Sequence, residues 1–236
     1  MRLLSVPILL LLLAAMPAAA APLDDGVAAY RGKDWPKAVE LLKPLADQGA
    51  AQAQELMGRM TERGAGVPRD FEAAAKWYRK AAEQGDAAAQ SRLATMLRIG
   101  MGDAVKRDVV EAVKWFRKGA EQGNPLAEVG LGYMSLEGVG TPADPAAAAE
   151  WFTKAANQGD AQAQLALGTL YDIGRGVPKD LAQAWKWYSL ATVDDGEYEQ
   201  EVFDRAKRVR DGLAMRITPA DKAKGEALVK GFSVKK

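Results

Sequence analysis

Apolar residues recur along most of this chain at helical spacing, in blocks that share one layout. Seven residues before each of four tryptophans stands an aspartate, giving the pairs Asp70 and Trp77, Asp108 and Trp115, Asp144 and Trp151, and Asp180 and Trp187. The first three blocks have a glycine eight residues after the tryptophan, at Gly85, Gly123 and Gly159. An aspartate can accept hydrogen bonds from the free N–H groups of a first helical turn, and glycine readily adopts the left-handed conformation that ends a helix. Each block therefore predicts one helix.

A second predicted helix precedes each of these blocks. It carries LMGRM, RLATM, GLGYM or LALGTL, and a small residue stands at the matching position: Gly58, Ala94, Gly132 and Gly168. Glycine inside a helix costs stability, so we expect a neighbouring helix to pack against the backbone at this point. Glycine pairs that begin at Gly64, Gly100, Gly138 and Gly174 separate the two helices. Because these pairs follow helices and recur in register, they favour tight turns over phosphate-binding loops.

The spacing of the blocks indicates a repeat protein. Successive tryptophans lie 38, 36 and 36 residues apart, and a period of this length is typical of stacked arrays, in which each unit covers the apolar face of its neighbour. We divide the chain into residues 1–21, a degenerate repeat or cap at 22–54, repeats at 55–90, 91–128, 129–164 and 165–195, and capping helices at 196–236. In the degenerate unit Asp34, Leu41 and Gly49 keep the spacing without the tryptophan.

The units at 55–90 and 165–191 closely resemble the Sel-1-like repeat, a relative of the tetratricopeptide repeat. The resemblance depends on leucine and glycine in the first helix, GxGVPxD in the turn and AxxWxxxAA in the second helix. It covers residues 55–195 well and residues 24–54 more loosely. It implies an all-α fold, a right-handed α-solenoid superhelix of antiparallel helix pairs with a concave groove. It also implies a role in protein–protein interaction.

Composition restricts the chemistry. The chain has no cysteine and no histidine, which excludes disulfides, Cys or His zinc sites, thiolate nucleophiles and Ser-His pairs. The last four residues, SVKK, match the S-x-x-K motif of β-lactam enzymes, but KTG and SDN are missing, so we interpret the match as coincidence. We interpret the four aspartates as helix caps and the four tryptophans as core residues rather than a ligand-stacking surface. We therefore predict no catalytic residue, no metal site and no cofactor.

The amino-terminal 21 residues have the layout of a secretory signal peptide, with Arg2, a short apolar run and then small residues. We expect cleavage after Ala20 or Ala21 and a periplasmic or secreted protein; a retained signal anchor is the alternative. Without Arg2 the 32 basic residues become 31, which equals the 31 acidic residues. A neutral chain has no electrostatic footprint for nucleic acid, so we expect no nucleic-acid partner. We also expect no membrane insertion after signal cleavage.

The groove that the resemblance implies gives the candidate site. Side chains that vary between units beside the small residue of the first helix are the candidates for partner binding: Arg59, Glu62, Arg98, Tyr133, Glu137 and Asp172. The alternative is that these are ordinary solvated residues. The predicted function is a non-enzymatic exported scaffold or adaptor for a protein or peptide of the cell envelope, with regulation of a membrane sensor as a narrower form. Cysteine-rich secreted relatives have been linked to β-lactams, so an enzyme acting on β-lactam or cell-wall compounds is the competing hypothesis.

Overall fold

The computed structural model describes residues 20–193 and 200–234, so the predicted signal peptide lies outside the described residues except for its last two positions. The described residues form helices α1 to α12, with no strand among them beyond one isolated bridge. The first helices of the four repeats are α3 (Ala51–Arg63), α5 (Ala87–Ile99), α7 (Pro125–Glu137) and α9 (Ala161–Ile173). The second helices are α4 (Phe71–Glu83), α6 (Val109–Glu121), α8 (Pro145–Asn157) and α10 (Leu181–Leu190). Before and after them lie α1 (Ala20–Arg31) and α2 (Trp35–Asp47), then α11 (Gln200–Ala214) and α12 (Pro219–Lys230).

The helices form an all-α solenoid in which each helix from α1 to α10 packs antiparallel against the next. Each first helix packs against its own second helix and against the second helix of the preceding unit. In the middle of the array the first helices approach one another more closely than the second helices do. Helix α5 packs directly against α7, whereas α4 and α6 meet through the long side chains of Arg79 and Glu111 (Nη1 to Oε1, 2.5 Å). The first helices therefore lie on the inner, concave side of the array.

The aspartates of the repeat are helix caps, as predicted. A carboxylate oxygen of each accepts a hydrogen bond from the backbone N–H three residues later, at 2.8–3.0 Å, for Asp70, Asp108, Asp144 and Asp180. The backbone N–H of each aspartate donates in turn to a carbonyl near the end of the preceding first helix; for Asp144 the acceptor is Ser135 (2.7 Å). One residue thus begins the second helix and ties it to the first.

The core is organised around the aromatic residue that directly follows each repeat tryptophan. Tyr78, Phe116, Phe152 and Tyr188 are fully buried. Three of these rings lie flat on a glycine of their own first helix: a Cβ built on Gly132 would stand 2.5 Å from the ring of Phe152, and Gly58 and Gly168 are equally close to their tyrosines. The second unit has Ala94 at this position, and the ring of Phe116 packs instead on Gly130 of the next unit. The predicted close approach to the small residue is confirmed at Gly58, Gly132 and Gly168.

The tryptophans contribute less to the core than predicted. Trp115 and Trp187 are buried, but Trp77 and Trp151 are only partly buried. A lysine ammonium lies over each ring, for example Lys154 at 3.9 Å from the centroid of Trp151. These rings cover the convex side of the array, where the aliphatic part of the lysine shields them and its charge stays in water.

A glutamine ladder joins successive helices. The side-chain amides of Gln54, Gln90 and Gln164 donate to the carbonyls of Ala46, Ala82 and Ala156, eight residues earlier at the end of the preceding second helix. Gln54 and Gln90 in turn accept hydrogen bonds from Gln84 and Gln122 at the end of their own second helix, at 2.8 and 2.9 Å. Gln54 and Gln90 therefore each hold three helix segments at one point.

Glu128 replaces glutamine at this position in the third unit. Its side chain is buried and accepts a hydrogen bond from Gln158 at 2.8 Å. Burial raises the pKa of the Glu128 carboxyl, with Asp160 adding to the effect, although Lys154 and Gln158 oppose it. An ionised carboxylate has no hydrogen to donate to the Ala120 carbonyl, which stands eight residues before it. The glutamine ladder therefore lacks, at Glu128, the hydrogen bond that the glutamines of the other units donate to the preceding second helix.

The turn glycines bring neighbouring units into contact through the backbone. Gly140 has a φ of +71°, and a Cβ there would stand 2.6 Å from the carbonyl oxygen of Val109, in the first turn of the preceding second helix. Gly176 meets the carbonyl of Pro145 in the same way. Gly102 has no such neighbour, because the two extra residues of the second unit move the loop outward. These glycines serve inter-unit packing as well as the turn.

The carboxyl-terminal helices end the array with a different geometry. Helix α11 packs against α10 and α9, and α12 lies along α10. Gly225 allows α12 to approach closely, since a Cβ there would stand 2.8 Å from the ring of Trp185. The ring of Phe232 packs edge-on against Trp187, with 5.6 Å between centroids. These contacts cover the apolar face that a further repeat would otherwise bury.

Substitution of Gly132 tests the contact between ring and backbone. Gly132→Ala places a methyl group inside the contact distance of Phe152, and we expect a loss of about 1–3 kcal/mol in the free energy of unfolding. Gly212→Ala is the matched control, because Gly212 lies in helix α11 with no atom near its Cβ position. It should stabilise the chain by about 0.5–1 kcal/mol. Urea titration followed by helical circular dichroism measures both; equal effects of the two substitutions would contradict the assignment.

Substitution of Glu128 tests the weak joint of the ladder. The pKa of Glu128 is higher in the folded chain than in the unfolded chain. Well below its ordinary pKa of 4.5 the group is protonated in both states and costs no stability. As the pH rises above 4.5, ionisation of the group increasingly destabilises the folded chain. Glu128→Gln restores the donor found in the other units, and we expect a gain of about 0.5–1.5 kcal/mol at pH 7 that shrinks towards pH 4. Thermal melts at both pH values measure it. The reverse change, Gln90→Glu, should destabilise the chain at pH 7; a gain from Glu128→Gln that does not depend on pH would refute the mechanism.

Candidate partner-binding groove

The concave face of α3, α5, α7 and α9 forms a groove with two unlike halves. Helices are related by the repeat, so equivalent positions face the groove in each unit. At one such position the four units carry Glu62, Arg98, Leu136 and Asp172. The first two units carry charged side chains there, whereas the third carries Leu136 and the charge of Asp172 in the fourth is paired with Arg216. The groove is therefore polar at one end and apolar at the other.

The polar half contains a charged cluster formed by Glu55, Arg59, Glu62, Tyr78 and Arg92. Arg59 Nε donates to Glu55 Oε1 at 2.5 Å, and Arg92 approaches Glu55 at 3.5 Å and Glu62 at 3.7 Å. The hydroxyl of Tyr78 donates to Glu62 Oε2 at 2.6 Å. The cluster thus links α3, α4 and α5, and its acidic and basic charges largely compensate one another.

Burial determines the electrostatics of this cluster. It raises the pKa of the Glu55 carboxyl, although Arg59 and Arg92 oppose the effect. It also raises the pKa of the Tyr78 hydroxyl, which therefore keeps its proton and remains a donor to Glu62. The Nε atom of Arg92 is buried and forms no hydrogen bond within the described residues. Arg92 is thus held by charge, at longer range than a hydrogen bond.

The apolar half contains a cleft between α7 and α9 with a volume of about 170 Å³. We call it the apolar cleft. Its lining consists of Tyr133, Leu136, Leu165, Ala166, Thr169, Leu170, Ile173, Arg175 and Arg205. Ile173 is 59% exposed and adds aliphatic surface at the edge of the cleft. The only charged residues in the lining are the two arginines.

Packing fixes the walls of the apolar cleft. The ring of Tyr133 stands edge-on to the buried ring of Phe152, with 5.0 Å between centroids. Burial raises the pKa of the Tyr133 hydroxyl, which therefore stays neutral. Arg175 Nη2 donates to the carbonyl of Leu136 at 2.8 Å, at the end of α7. One guanidinium is thereby held beside the cleft.

The six predicted site residues lie in different surroundings. Arg59 and Glu62 belong to the charged cluster, and Tyr133 lines the apolar cleft. The side chain of Arg98 is partly exposed and forms no ion pair with the described residues. Glu137 is exposed and stands one position out of register with Glu62 and Arg98. Partner binding by these residues stays a prediction.

Asp172 lies in a closed environment. It is 9% exposed, its carboxylate pairs with Arg216 from the segment between α11 and α12, and it accepts a hydrogen bond from the hydroxyl of Tyr188 at 3.5 Å. The carboxyl-terminal region therefore uses this carboxylate for its own attachment to α9. A partner that bound Asp172 would have to displace Arg216.

Several groove residues were missed by sequence reasoning. Leu136 had a usable signal, because it occupies the same repeat position as Glu62 and Arg98, but its apolar side chain favours a core position. Arg92 stands where other units have Leu56, Gly130 and Ala166, so its departure from small and apolar residues was also visible. Arg205 had no signal, since it belongs to α11, outside the repeat pattern.

Comparison with known proteins places the repeats in a family. The model of the Sel1 repeat matches residues 51–86, 87–124, 125–160 and 161–192. The chain belongs to the Sel1 repeat family. Members of this family are generally protein-interaction scaffolds and are typically non-enzymatic. The fold is accordingly a right-handed α-solenoid of Sel1 repeats, as predicted.

Solved structures of other Sel1 repeat proteins share this architecture. A Sel1 repeat protein from Oxalobacter formigenes is 34% identical, with a TM-score of 0.63, over 83% of this chain and 85% of that chain. The protective antigen c5321 of uropathogenic Escherichia coli is 27% identical, with a TM-score of 0.56, over 90% of this chain and 52% of that chain.

The sequence is also similar to part of a much longer protein. The chitin synthase regulator SKT5 of Malassezia restricta is 46% identical over 54 residues, which are 23% of this chain and only 4% of the length of that protein.

Within residues 20–193 and 200–234, no three acidic side chains converge in a way that could hold a metal ion. None of the helices in those ranges combines the length and apolar character needed to cross a bilayer.

Two arginines of the groove provide a matched test of the charged cluster. Arg92→Ala leaves the buried Glu55 and the partly buried Glu62 with one cation fewer, and we expect a loss of about 1–3 kcal/mol in the free energy of unfolding. Arg98→Ala, one position from the end of α5, should change it by less than about 0.5 kcal/mol. Chemical unfolding of both variants measures the difference. If Arg98→Ala were as damaging as Arg92→Ala, the separation of cluster and open groove would be wrong.

Proposed function

We propose that this Sel1 repeat protein is a non-enzymatic adaptor that binds a peptide or protein partner in its concave groove. The observation that carries the proposal is the contrast between framework and groove. Caps, turn glycines and aromatic rings recur in each unit, whereas the groove positions differ from unit to unit, as Glu62, Arg98 and Leu136 do. In a repeat array such variation on one face is where specificity resides.

The two halves of the groove have different roles in this proposal. The charged cluster is already paired internally, so it contributes shape and directed polar contacts more than net charge. The apolar cleft is open and offers exposed aliphatic surface at Ile173, the kind of surface on which an anchor side chain gains binding energy by leaving water. A partner segment that lies along the groove meets both.

The proposed location is the bacterial periplasm or another extracytoplasmic compartment. Support comes from the layout of the first 21 residues and from the absence of cysteine, which makes the chain independent of oxidative folding. The partner is then a protein of the cell envelope. A narrower form of this proposal is that the protein regulates a membrane sensor, and it is supported only by the fold and the proposed location.

Site-specific crosslinking in intact cells tests function and location together. A photoreactive phenylalanine analogue at Arg98 faces the groove, and the same analogue at Arg117, an exposed residue of α6 on the convex side, is the matched control. We expect irradiation to yield a discrete adduct from position 98 and none from position 117, recovered in the periplasmic fraction after osmotic shock. Identical adducts from both positions would argue against groove binding. Recovery of all adducts with the cytoplasm would refute the location.

A further inference from the structure

The apolar cleft has the size of a site for one side chain. Its volume of about 170 Å³ is well below the roughly 300–1,000 Å³ of pockets that enclose drug-sized ligands. The walls are aliphatic and aromatic, contributed by Leu136 and Tyr133 of α7 and by Leu165, Leu170 and Ile173 of α9. Such a cleft suits a single large apolar residue of a bound chain.

Two cations without an acidic partner stand at the cleft. Neither Arg175 nor Arg205 forms an ion pair within the described residues, and both are exposed. Arg175 uses one N–H on the carbonyl of Leu136, which leaves its charge uncompensated and its other N–H groups available. Charge complementarity therefore favours an anion next to the apolar side chain, and the geometry of guanidinium groups favours a carboxylate.

Helix α11 obstructs the groove at this end. It packs against α9 and α10, and its Arg205 reaches the cleft between α7 and α9. A chain that follows the concave face from the charged cluster meets α11 just beyond the cleft. At the last residue of a chain, the side chain and the α-carboxylate leave the same Cα, so both enter one site together. An internal acidic residue next to an apolar residue would point to the opposite side of an extended chain.

We propose that the apolar cleft binds the carboxyl-terminal residue of a partner protein, with its apolar side chain between α7 and α9 and its α-carboxylate paired with Arg175 and Arg205. This inference rests on the proposed function and names the partner chemistry of the same groove. Preferred ligands end in leucine, isoleucine, methionine or phenylalanine. Residues preceding the last one extend towards Arg98 and the charged cluster.

An NMR titration of the ¹⁵N-labelled full chain with defined peptides tests the proposal. The probe is a Gly/Ser peptide of about ten residues that ends in leucine with a free carboxylate. Matched peptides carry a terminal amide, end in serine, or contain an internal Leu-Asp and a terminal amide. We expect the free-acid leucine peptide to shift amides near Thr169, Ile173 and Arg205. Amidation should weaken its binding by about tenfold or more, since a charged hydrogen bond to each arginine is lost.

Variants of the arginines complete the test. Arg175→Ala and Arg205→Ala should each weaken binding of the free-acid peptide by about tenfold. Arg208 also lies in helix α11 but does not line the cleft, so Arg208→Ala should leave binding of the free-acid peptide unchanged. Thermal melts establish that all three variants are folded. Equal binding of the amidated peptide, preference for the internal Leu-Asp peptide, an equal loss with Arg208→Ala, or no shift at several millimolar peptide would each overturn the proposal.

The partner recovered by crosslinking separates this inference from the proposed function. If removal of the last residue of that partner weakens its binding, the terminal site is supported in the natural complex. If the partner binds the groove with unchanged affinity after this truncation, the terminal site is wrong while groove binding stands. If neither truncation nor groove substitutions alter its binding, both are wrong.

Discussion

The arrangement depends on an aromatic ring lying directly on a helix backbone. Tyr78, Phe152 and Tyr188 fill the space that a Cβ would occupy on the facing glycine, so the two helices of a unit meet at one short distance. Close packing does not tolerate even one extra methyl group at such a point. The aspartate caps and turn glycines then fix where each helix begins and how the chain returns. Spacing within a unit is set by this contact, and stacking of units follows from it.

Because the framework is carried by so few positions, the inner face is free to differ from unit to unit. The first half of that face uses its freedom to compensate charges internally, through Arg59, Arg92 and two glutamates. The second half leaves aliphatic surface and two arginines without acidic partners within the described chain. The same fold thus gives one region whose charges are paired internally and another that is open to a ligand.

Local rules explain which features the sequence could predict. Caps, turns and the small residue of each first helix depend on a few neighbouring positions, and all were predicted from spacing. The rings that contact the glycines were not, because tryptophan and the next residue lie 100° apart on a helix and spacing alone did not show which one points inward. The pairing of Asp172 with Arg216 and the approach of Arg205 to the cleft depend on where α11 and its connection pack. Such contacts join residues far apart in sequence, so the repeat pattern cannot predict them.

The joints between units are made largely with backbone atoms. The inner glutamines donate to carbonyls of the preceding second helix, and Gly140 and Gly176 contact carbonyls in its first turn. A carbonyl is present whatever the side chain, so a unit makes these contacts with any predecessor of the same shape. Internal duplication of the gene can therefore lengthen such an array without a compensating mutation in the unit next to the new copy. The groove grows by one helix each time, and its new inner residues begin as a copy that selection is free to change.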